Sequence, residues 1–436
     1  RFIELCDHIA RSIMTLKCLL VLLPFLLTCN AQCISENDTL PLGMNPNSLE
    51  IPNSAAFNFS VDFFQTLVKH KGISDTEKIV RNIFGSPYSV WQILTLAYFG
   101  SNGETERELG KALRIDKLGK YATLGSFKLI NFFLKTRSKK ATEYKFNIAN
   151  RAYVDKREPI RQCMKDVLQE DFTMVDFFDH PDESREMINS WVAEETYDRI
   201  KDLIPAGMVD PSTRLALVNA VYFKGQWDSR FKPSDTTKEL FYQSPNKIIH
   251  VDMMKQKGTF GFGLSEELLA AVLELPYKGE DISMFILLPP YIDGGLETIV
   301  RRMTPERIKI ALNSVSKTEI TVHIPKFKVE QTIDLKSTLQ LMNVTTLFDA
   351  SRANLSGFSD LDGLFAGAAI HKSYVNVDEE GAEAAAATAL LMFRTARLEE
   401  PERFVANHPF VYIIYDHHSE VPLFMGVMVD PNNRGA

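Results

Sequence analysis

Val375 to Leu398 reads VNVDEEGAEAAAATALLMFRTARL, and two structures compete for it. On propensity alone Glu383 to Phe393 is a helix, because Ala, Leu, Met and Glu are among the best helix formers. A helix serving structure alone carries an apolar face and a polar face, and Ala384 to Ala387 shows neither. Small side chains suit a segment that must slide into a crowded sheet as an added strand, where alternate positions face the core. Ala382, Ala384, Ala386 and Thr388 then point one way and Glu383 the other, so no charge is buried before Arg394. Gly381 supplies the flexible turn that such an entering strand needs.

The chain around this stretch has 436 residues, 45% apolar and 24% charged, enough for a large core. Forty-nine basic against 56 acidic residues leave a net charge of −7. That balance argues against a nucleic-acid binder, which must neutralise phosphates. No low-complexity linker interrupts the chain after about residue 55, and no repeat of 20 to 50 residues is found.

The N-terminus reads as a targeting segment. Met14 and Lys17 resemble a start and a charged n-region, and Cys18 to Leu27 is an apolar run. Cys29-Asn30-Ala31 then suits cleavage before Gln32. The run is too short to cross a bilayer and contains Pro24. Residues 1–31 are therefore read as upstream sequence plus a signal peptide from Met14 to Ala31, 32–54 as a flexible lead-in, and 55–432 as one domain. Of five cysteines, Cys33 and Cys163 survive that cleavage. Their pairing stays open in the sequence, and a buried free thiol in a helix is the expectation for Cys163. Asn37, Asn58, Asn343 and Asn354 open glycosylation triplets.

Phe57, Val61, Phe64, Leu67 and Val68 recur at helical spacing, and further helices are predicted over 89–99 and 104–113, the latter capped by Thr105 or the turn before it. Leu215 to Phe223, Leu269 to Pro276, Ser283 to Pro289, Glu319 to Pro325 and Val411 to Tyr415 read as strands. Spread between helices without regular alternation, they predict an α+β fold.

Catalytic patterns are absent from the sequence: no GxSxG elbow, no HExxH helix and no paired CxxC occur. Gly103 to Lys111 has the wrong spacing for a phosphate loop, and Gly258-Thr-Phe-Gly-Phe-Gly263 lacks the dinucleotide order. His417-His418 is read as a solvated turn. A Ser-His-Asp triad assembled from distant segments remains a formal alternative, since triads are defined by geometry.

Glu379-Glu380-Gly381-Ala382-Glu383-Ala384-Ala385-Ala386-Ala387-Thr388 resembles the hinge of inhibitory serpins. Other patterns of that family follow in order: Asn82 to Ser89, Ile188 to Val192, Ile200 to Ile204, Leu217 to Trp227, His371-Lys372, Asn407 to Phe410 and Pro422 to Gly426. The resemblance covers about residues 55 to 432. It implies three β-sheets, eight or nine helices and an exposed C-terminal reactive loop, about residues 379–400, on a single-domain monomer. It also implies a protease inhibitor and not an enzyme: a target serine protease attacks the loop, forms an acyl-enzyme and is trapped covalently when the loop inserts into the central sheet. Ser86, Ser89, Asn219 and His371 are implied where the sheet must part, and Trp227 near the point where the loop enters. Ala382 departs from the family's usual Thr or Ser, but a small apolar residue preserves insertion.

The resemblance leaves the scissile bond open. Family spacing from Glu379 reaches Thr395, while a trypsin-like protease needs a cation. Arg394-Thr395 is the reading, with Thr395-Ala396 and Arg397-Leu398 as rivals. Reading at Thr395 or Phe393 shifts the target to elastase-like or chymotrypsin-like proteases. Lys135, Arg137, Lys139 and Lys140 form a candidate sulfated-polysaccharide site, with a solvated charge run as the plain alternative; no other cofactor, no membrane span and no metal is expected. A non-inhibitory serpin acting as carrier, storage protein or chaperone is the rival within the fold.

Overall fold

The computed structural model describes residues 50–74, 78–140, 144–380 and 402–433. Among them are nine α-helices: α1 Glu50–Leu67, α2 Pro87–Gly100, α3 Gly103–Ala112, α4 Gly119–Lys140, α5 Gln162–Leu168, α6 Pro181–Glu195, α7 Gly295–Arg302, α8 Pro305–Asn313 and α9 Leu335–Leu341. The described strands are β1 Ile83–Gly85, β2 Tyr144–Asp155, β3 Phe172–Val175, β4 Leu215–Gly225, β5 Thr237–Ser244, β6 Lys247–Ser265 and β7 Ala270–Pro276. They continue with β8 Ile282–Leu288, β9 Ser316–Pro325, β10 Phe327–Asp334, β11 Ala366–Val377, β12 Glu402–Val405, β13 Phe410–Asp416 and β14 Val421–Met428.

The α+β expectation holds. One sheet has five strands in the order β10-β11-β4-β2-β3. The other ladder runs β1-β14-β13-β8-β7-β6-β9-β12, with β5 also on β6. Strand β6 is long enough to serve two portions: Met253 to Phe262 pairs with β9, and Gly261 to Ser265 with β7. Counted by portion, the expected three sheets are present.

Helix α1 begins at Glu50, inside the stretch expected to be a flexible lead-in. Pro52 falls in its first turn, where a missing N–H costs no intrahelical bond. Helix α2 is buried along its whole length, which its apolar sequence allows on every face. Gly258, Gly261 and Gly263, tested above for nucleotide binding, lie within β6. A Cβ on Gly261 would stand 2.6 Å from Glu274 Oε2, and one on Gly263 2.7 Å from the Ser314 carbonyl. These glycines allow close backbone approach and cradle no phosphate.

Alternation divides the five-stranded sheet cleanly. Ala216, Val218, Ala220 and Tyr222 of β4 join Ala368, Ile370 and Tyr374 of β11 in a core shared with α6 residues Ile188 and Val192. Leu215, Leu217, Val221 and Phe223 face the main core instead, with Ala369, Val375 and Val377. Asn219 and His371 share that inward parity.

Candidate functional site

Strands β11 and β4 run parallel, with Ala368 opposite Ala216 and Val375 opposite Phe223. Their outer neighbours are both antiparallel, β10 to β11 and β2 to β4. An additional strand placed between β11 and β4, antiparallel to both, would convert this stretch into an all-antiparallel ladder, the slightly stronger pairing. In the described structure the two strands are directly hydrogen-bonded and the seam is closed.

Beneath the seam lies a polar cluster that the sequence reading anticipated. Ser86, Ser89, Asn219 and His371 are all fully buried. Ser86 caps α2, accepting from the Ser89 N–H at 3.3 Å, and its hydroxyl donates to the Leu423 carbonyl at 2.6 Å. Capping therefore coexists with a tie to β14. The Ser86 N–H donates to Nε2 of His371 at 3.0 Å. This fixes the tautomer, because Nε2 must accept and Nδ1–H then donates to Oδ1 of Asn219. The Ser89 hydroxyl donates to the same Oδ1 at 3.0 Å, and Nδ2 of Asn219 donates to the Ser89 carbonyl at 3.0 Å. Burial lowers the His371 pKa to about 3, so the ring is neutral.

Asn150 of β2 also belongs here and was not anticipated. It accepts from Asn219 Nδ2 and donates to Gln92 Oε1 at 3.1 Å. Little signal was available beforehand, because Asn150 is one of three polar residues, with Asn147 and Arg151, in the stretch Phe146 to Val154; it is burial in the fold that makes its amide need partners.

At the top of β11 the chain is clamped before the loop begins. Trp227 stacks on Tyr277 with centroids 4.5 Å apart, and its Nε1–H donates to the Asp378 carbonyl at 2.8 Å. Trp227 is thus both core and a contact of the departing chain. The Phe231 N–H donates to the Glu379 carbonyl at 3.2 Å. The Glu379 carboxylate, nearly buried, takes the Thr236 hydroxyl at 2.8 Å and Lys326 Nζ at 2.7 Å. Burial pushes its pKa up, but the hydrogen bonds from Lys326, its own N–H and Thr236 outweigh that and hold it below the usual range. Glu380 N–H closes on Asp378 Oδ1 at 3.1 Å. The rest of the expected hinge and all candidate bonds from Arg394 to Leu398 lie outside the described residues.

Several expectations need correction. Arg137 is not free for a polysaccharide: it pairs at 2.8 Å with Asp416, which is fully buried. The side chains of Lys139 and Lys140 lie outside the described residues. Cys163 is disulfide-bonded and only half-buried, so it is not a buried free thiol. His417 and His418 lie in an exposed turn, as expected, and each also has a polar neighbour: His418 Nε2 lies 2.7 Å from Asp281 Oδ1 and His417 Nε2 lies 2.9 Å from Ser283 Oγ. Glu274 is 3.5 Å from that same His417 nitrogen and accepts from Ser283 at 2.9 Å. A catalytic relay places acid and hydroxyl on opposite ring nitrogens, so this group is no triad. No cluster of metal-ligating residues is found among the described residues. Nor is any described helix long and apolar enough to cross a membrane.

Asn343 and Asn354 are exposed, Asn58 is half-buried on α1 beside the fully buried Ser60, and Asn37 lies outside the described residues.

Comparison with known proteins agrees with this geometry. A family model described as Serpin (serine protease inhibitor) matches residues 54–431. Serine protease inhibitor 88Ea of Drosophila melanogaster is 38% identical over 367 residues, covering 80% of this chain and 85% of that protein. Serpin B3 of Homo sapiens is 37% identical over 402 residues, covering 88% of this chain and 100% of the relative. Among solved structures, uncleaved ovalbumin superposes with a TM-score of 0.76 at 29% identity, over 87% of this chain and 100% of that one.

Proposed function

The chain belongs to the serpin family of protease inhibitors, and we propose that it is a secreted inhibitor that traps trypsin-like serine proteases by inserting its own cleaved loop between β4 and β11. Members of this family bind proteases and are not themselves enzymes. The observation that carries the finer reading is the closed parallel seam, whose length fits the loop that follows it.

Strand β11 spans 12 residues. An inserted strand must pair antiparallel to it, and cross-strand partners share a face. Glu383 stays out of the core only if even-numbered loop residues pair with the inward, odd-numbered residues of β11. The pairing Ala382 to Val377 does this, leaving a four-residue turn from Asp378 to Gly381, a common hairpin length. The same register sets Thr388 opposite His371 and Leu391 opposite Ala368, the last β11 residue before the irregularity at Gly367. Arg394 then falls beyond the regular part of the ladder, where its charge need not be buried.

In this reading the protease serine attacks the Arg394 carbonyl. The Arg394–Thr395 peptide bond breaks, Thr395 leaves with a free amine, and Arg394 remains esterified to the protease. The Arg394 cation suits an acidic specificity pocket. Ordering about 12 residues costs roughly 1–2 kcal/mol each in backbone entropy, which the new ladder and its packing must exceed. The acylated end is carried to the opposite end of the sheet before water can cleave the ester.

Secretion is supported by the signal-like segment Met14 to Ala31 and by the disulfide at Cys163, since disulfides persist in oxidising compartments. Exposure favours glycans at Asn343 and Asn354 over Asn58.

The test mixes the purified protein with trypsin, chymotrypsin and elastase, followed by denaturing gels and mass analysis of the released peptide. A denaturant-resistant complex with trypsin and a peptide beginning at Thr395 is expected. Cleavage of the loop with every protease left active would overturn the inhibitory reading in favour of a non-inhibitory serpin. A peptide beginning at Ala396 or Leu398 would move the bond.

A further inference from the structure

The seam between β4 and β11 carries a side-chain tie on each face. The inward one joins His371 to Asn219; three residues further along the same register Tyr374 stands opposite Tyr222, on the face covered by α6. Both tyrosines are buried, and their rings lie 5.7 Å apart at 45°, within the range over which aromatic pairs attract. The pair is supported from both sides. On β10, Lys328 Nζ sits 4.8 Å from the centre of the Tyr374 ring. Just beyond the end of α6, the Tyr197 ring lies 6.1 Å from that of Tyr222.

Tyr197 occupies a position that suits glycine. Helix α6 caps at Thr196, Tyr197 follows with φ 52°, and the Asp198 N–H donates to the Ala193 carbonyl at 2.7 Å. A left-handed residue directly after the cap is ordinarily Gly, because a Cβ there is strained. Tyr197 is also 53% exposed, so burial does not account for it. Buried tyrosines beneath a helix are otherwise plain core, but core packing leaves this strained and exposed third ring unexplained. Strain kept at a bulky residue points to a role for its side chain, and that side chain meets Tyr222. We propose that the Tyr222–Tyr374 pair is an outer latch on the seam, and that Tyr197 is a positioning residue that holds the Tyr222 ring against Tyr374.

The latch exists only while the seam is closed. A strand entering between β4 and β11 moves them from one strand spacing to two, about 9.5 Å, and rings more than about 7 Å apart no longer pair. The pair therefore stabilises the closed sheet and contributes nothing to an expanded one, which makes its rupture part of the barrier to strand entry. Its loss corresponds to a change in seam opening of roughly 2- to 10-fold. The link to inhibition rests on the insertion reading above; the latch itself does not.

The experiment is hydrogen exchange on the intact full chain, followed by mass on peptides covering β4 and β11; the same proteins are then nicked in the loop and timed as they gain heat resistance. Tyr374→Leu and Tyr197→Gly are expected to speed exchange in β11 by roughly 2- to 10-fold, while Tyr374→Phe and Tyr197→Phe stay at the parental rate. Tyr197→Gly carries the sharper sign. It relieves the backbone, so a purely structural Tyr197 predicts slower or unchanged exchange, and that result would overturn the positioning role. Tyr153→Leu removes a buried ring that packs on Trp191 at 5.9 Å, away from the seam, and should leave β11 exchange unchanged. Equal acceleration by Tyr153→Leu would overturn the latch in favour of general core packing. If Tyr374→Leu fails to fold, Tyr197→Gly, at an exposed site, still decides. Nicked Tyr374→Leu and Tyr197→Gly are expected to gain heat resistance sooner than the parent by the same factor. Faster exchange with an unchanged rise would overturn the link to strand entry, and no rise in any protein, parent included, would sink the insertion reading while the exchange result stands.

Discussion

His371 and Asn219 are register partners across the parallel seam between β11 and β4, and the Nδ1–H of His371 donates to the Oδ1 of Asn219. The bond spans the two strands that must separate for any strand to enter. Each partner is also tied to the start of α2, His371 through the Ser86 N–H and Asn219 through Ser89. Opening the seam therefore breaks this side-chain bond together with the backbone ladder between β4 and β11, while the bonds to the start of α2 still anchor both strands beneath.

Replacing Asn219 by Ala strands the His371 Nδ1–H and removes an acceptor from Ser89 and a partner from Asn150. Unsatisfied buried groups of this kind cost about 1–3 kcal/mol each and act as a network. Asn219→Ala is expected to lose about 2–4 kcal/mol in equilibrium urea unfolding. A loss under 0.5 kcal/mol would mean the cluster is not holding the sheet.

Acid should loosen the same seam. His371 falls from its ordinary 6.5 to about 3 in the fold, so unfolding takes up a proton between those values. Its stabilising contribution is complete above pH 6.5 and is lost progressively as pH falls toward 3. His408, lowered by burial, acts in the same direction, and Glu379 adds a loss at lower pH because its carboxyl is held below its usual range. His371→Gln preserves an acceptor for Ser86 and a donor for Asn219. It is expected to flatten the stability profile between pH 6.5 and 4.5; an unchanged slope would exclude His371 as the source.

The proposed register separates neighbouring alanines. Ala386 faces Ser373 on the inward side, whereas Ala387 faces outward. A buried unpaired carboxylate is costly, so Ala386→Glu should slow insertion and raise the number of inhibitor molecules consumed per trypsin inactivated by at least several-fold. Ala387→Glu should change it much less. The reverse order, measured by titration of trypsin activity, would shift the register by one residue.

Arg394→Ala removes the cation read by a trypsin-like pocket. The second-order rate of trypsin inhibition is expected to fall by at least about 100-fold, since an unpaired buried acid remains in the protease. Arg397→Ala should have little effect. If the two variants behave the other way round, Arg397 is the residue on the acyl side.

Much of this was legible in the chain because it is written in short-range pattern. The apolar runs at Leu215, Leu269, Ser283, Glu319 and Val411 located β4, β7, β8, β9 and β13 to within a few residues, and the helix predicted over 89–99 started two residues inside α2. The long strand β6 was missed because Gly258 to Gly263 was weighed only as a dinucleotide pattern, although Gly261 and Gly263 serve close packing against Glu274 and Ser314. The Arg137–Asp416 pair was invisible for another reason. Their separation in sequence is 279 residues, and a basic run shows no sign of which of its members is buried against a distant acid. Glu379 illustrates both limits: its place before the loop was readable, but Lys326 and Thr236 as its partners were set by tertiary packing alone.

The most direct test of sheet opening nicks the loop with a protease that cuts it without being trapped, and compares thermal unfolding of intact and nicked protein. Insertion between β4 and β11 adds a strand to a sheet that is now closed on itself, so the nicked form is expected to melt tens of degrees higher than the intact form. An unchanged or lower melting temperature, with the nick verified by mass, would show that the loop stays outside the sheet and would contradict trapping by insertion.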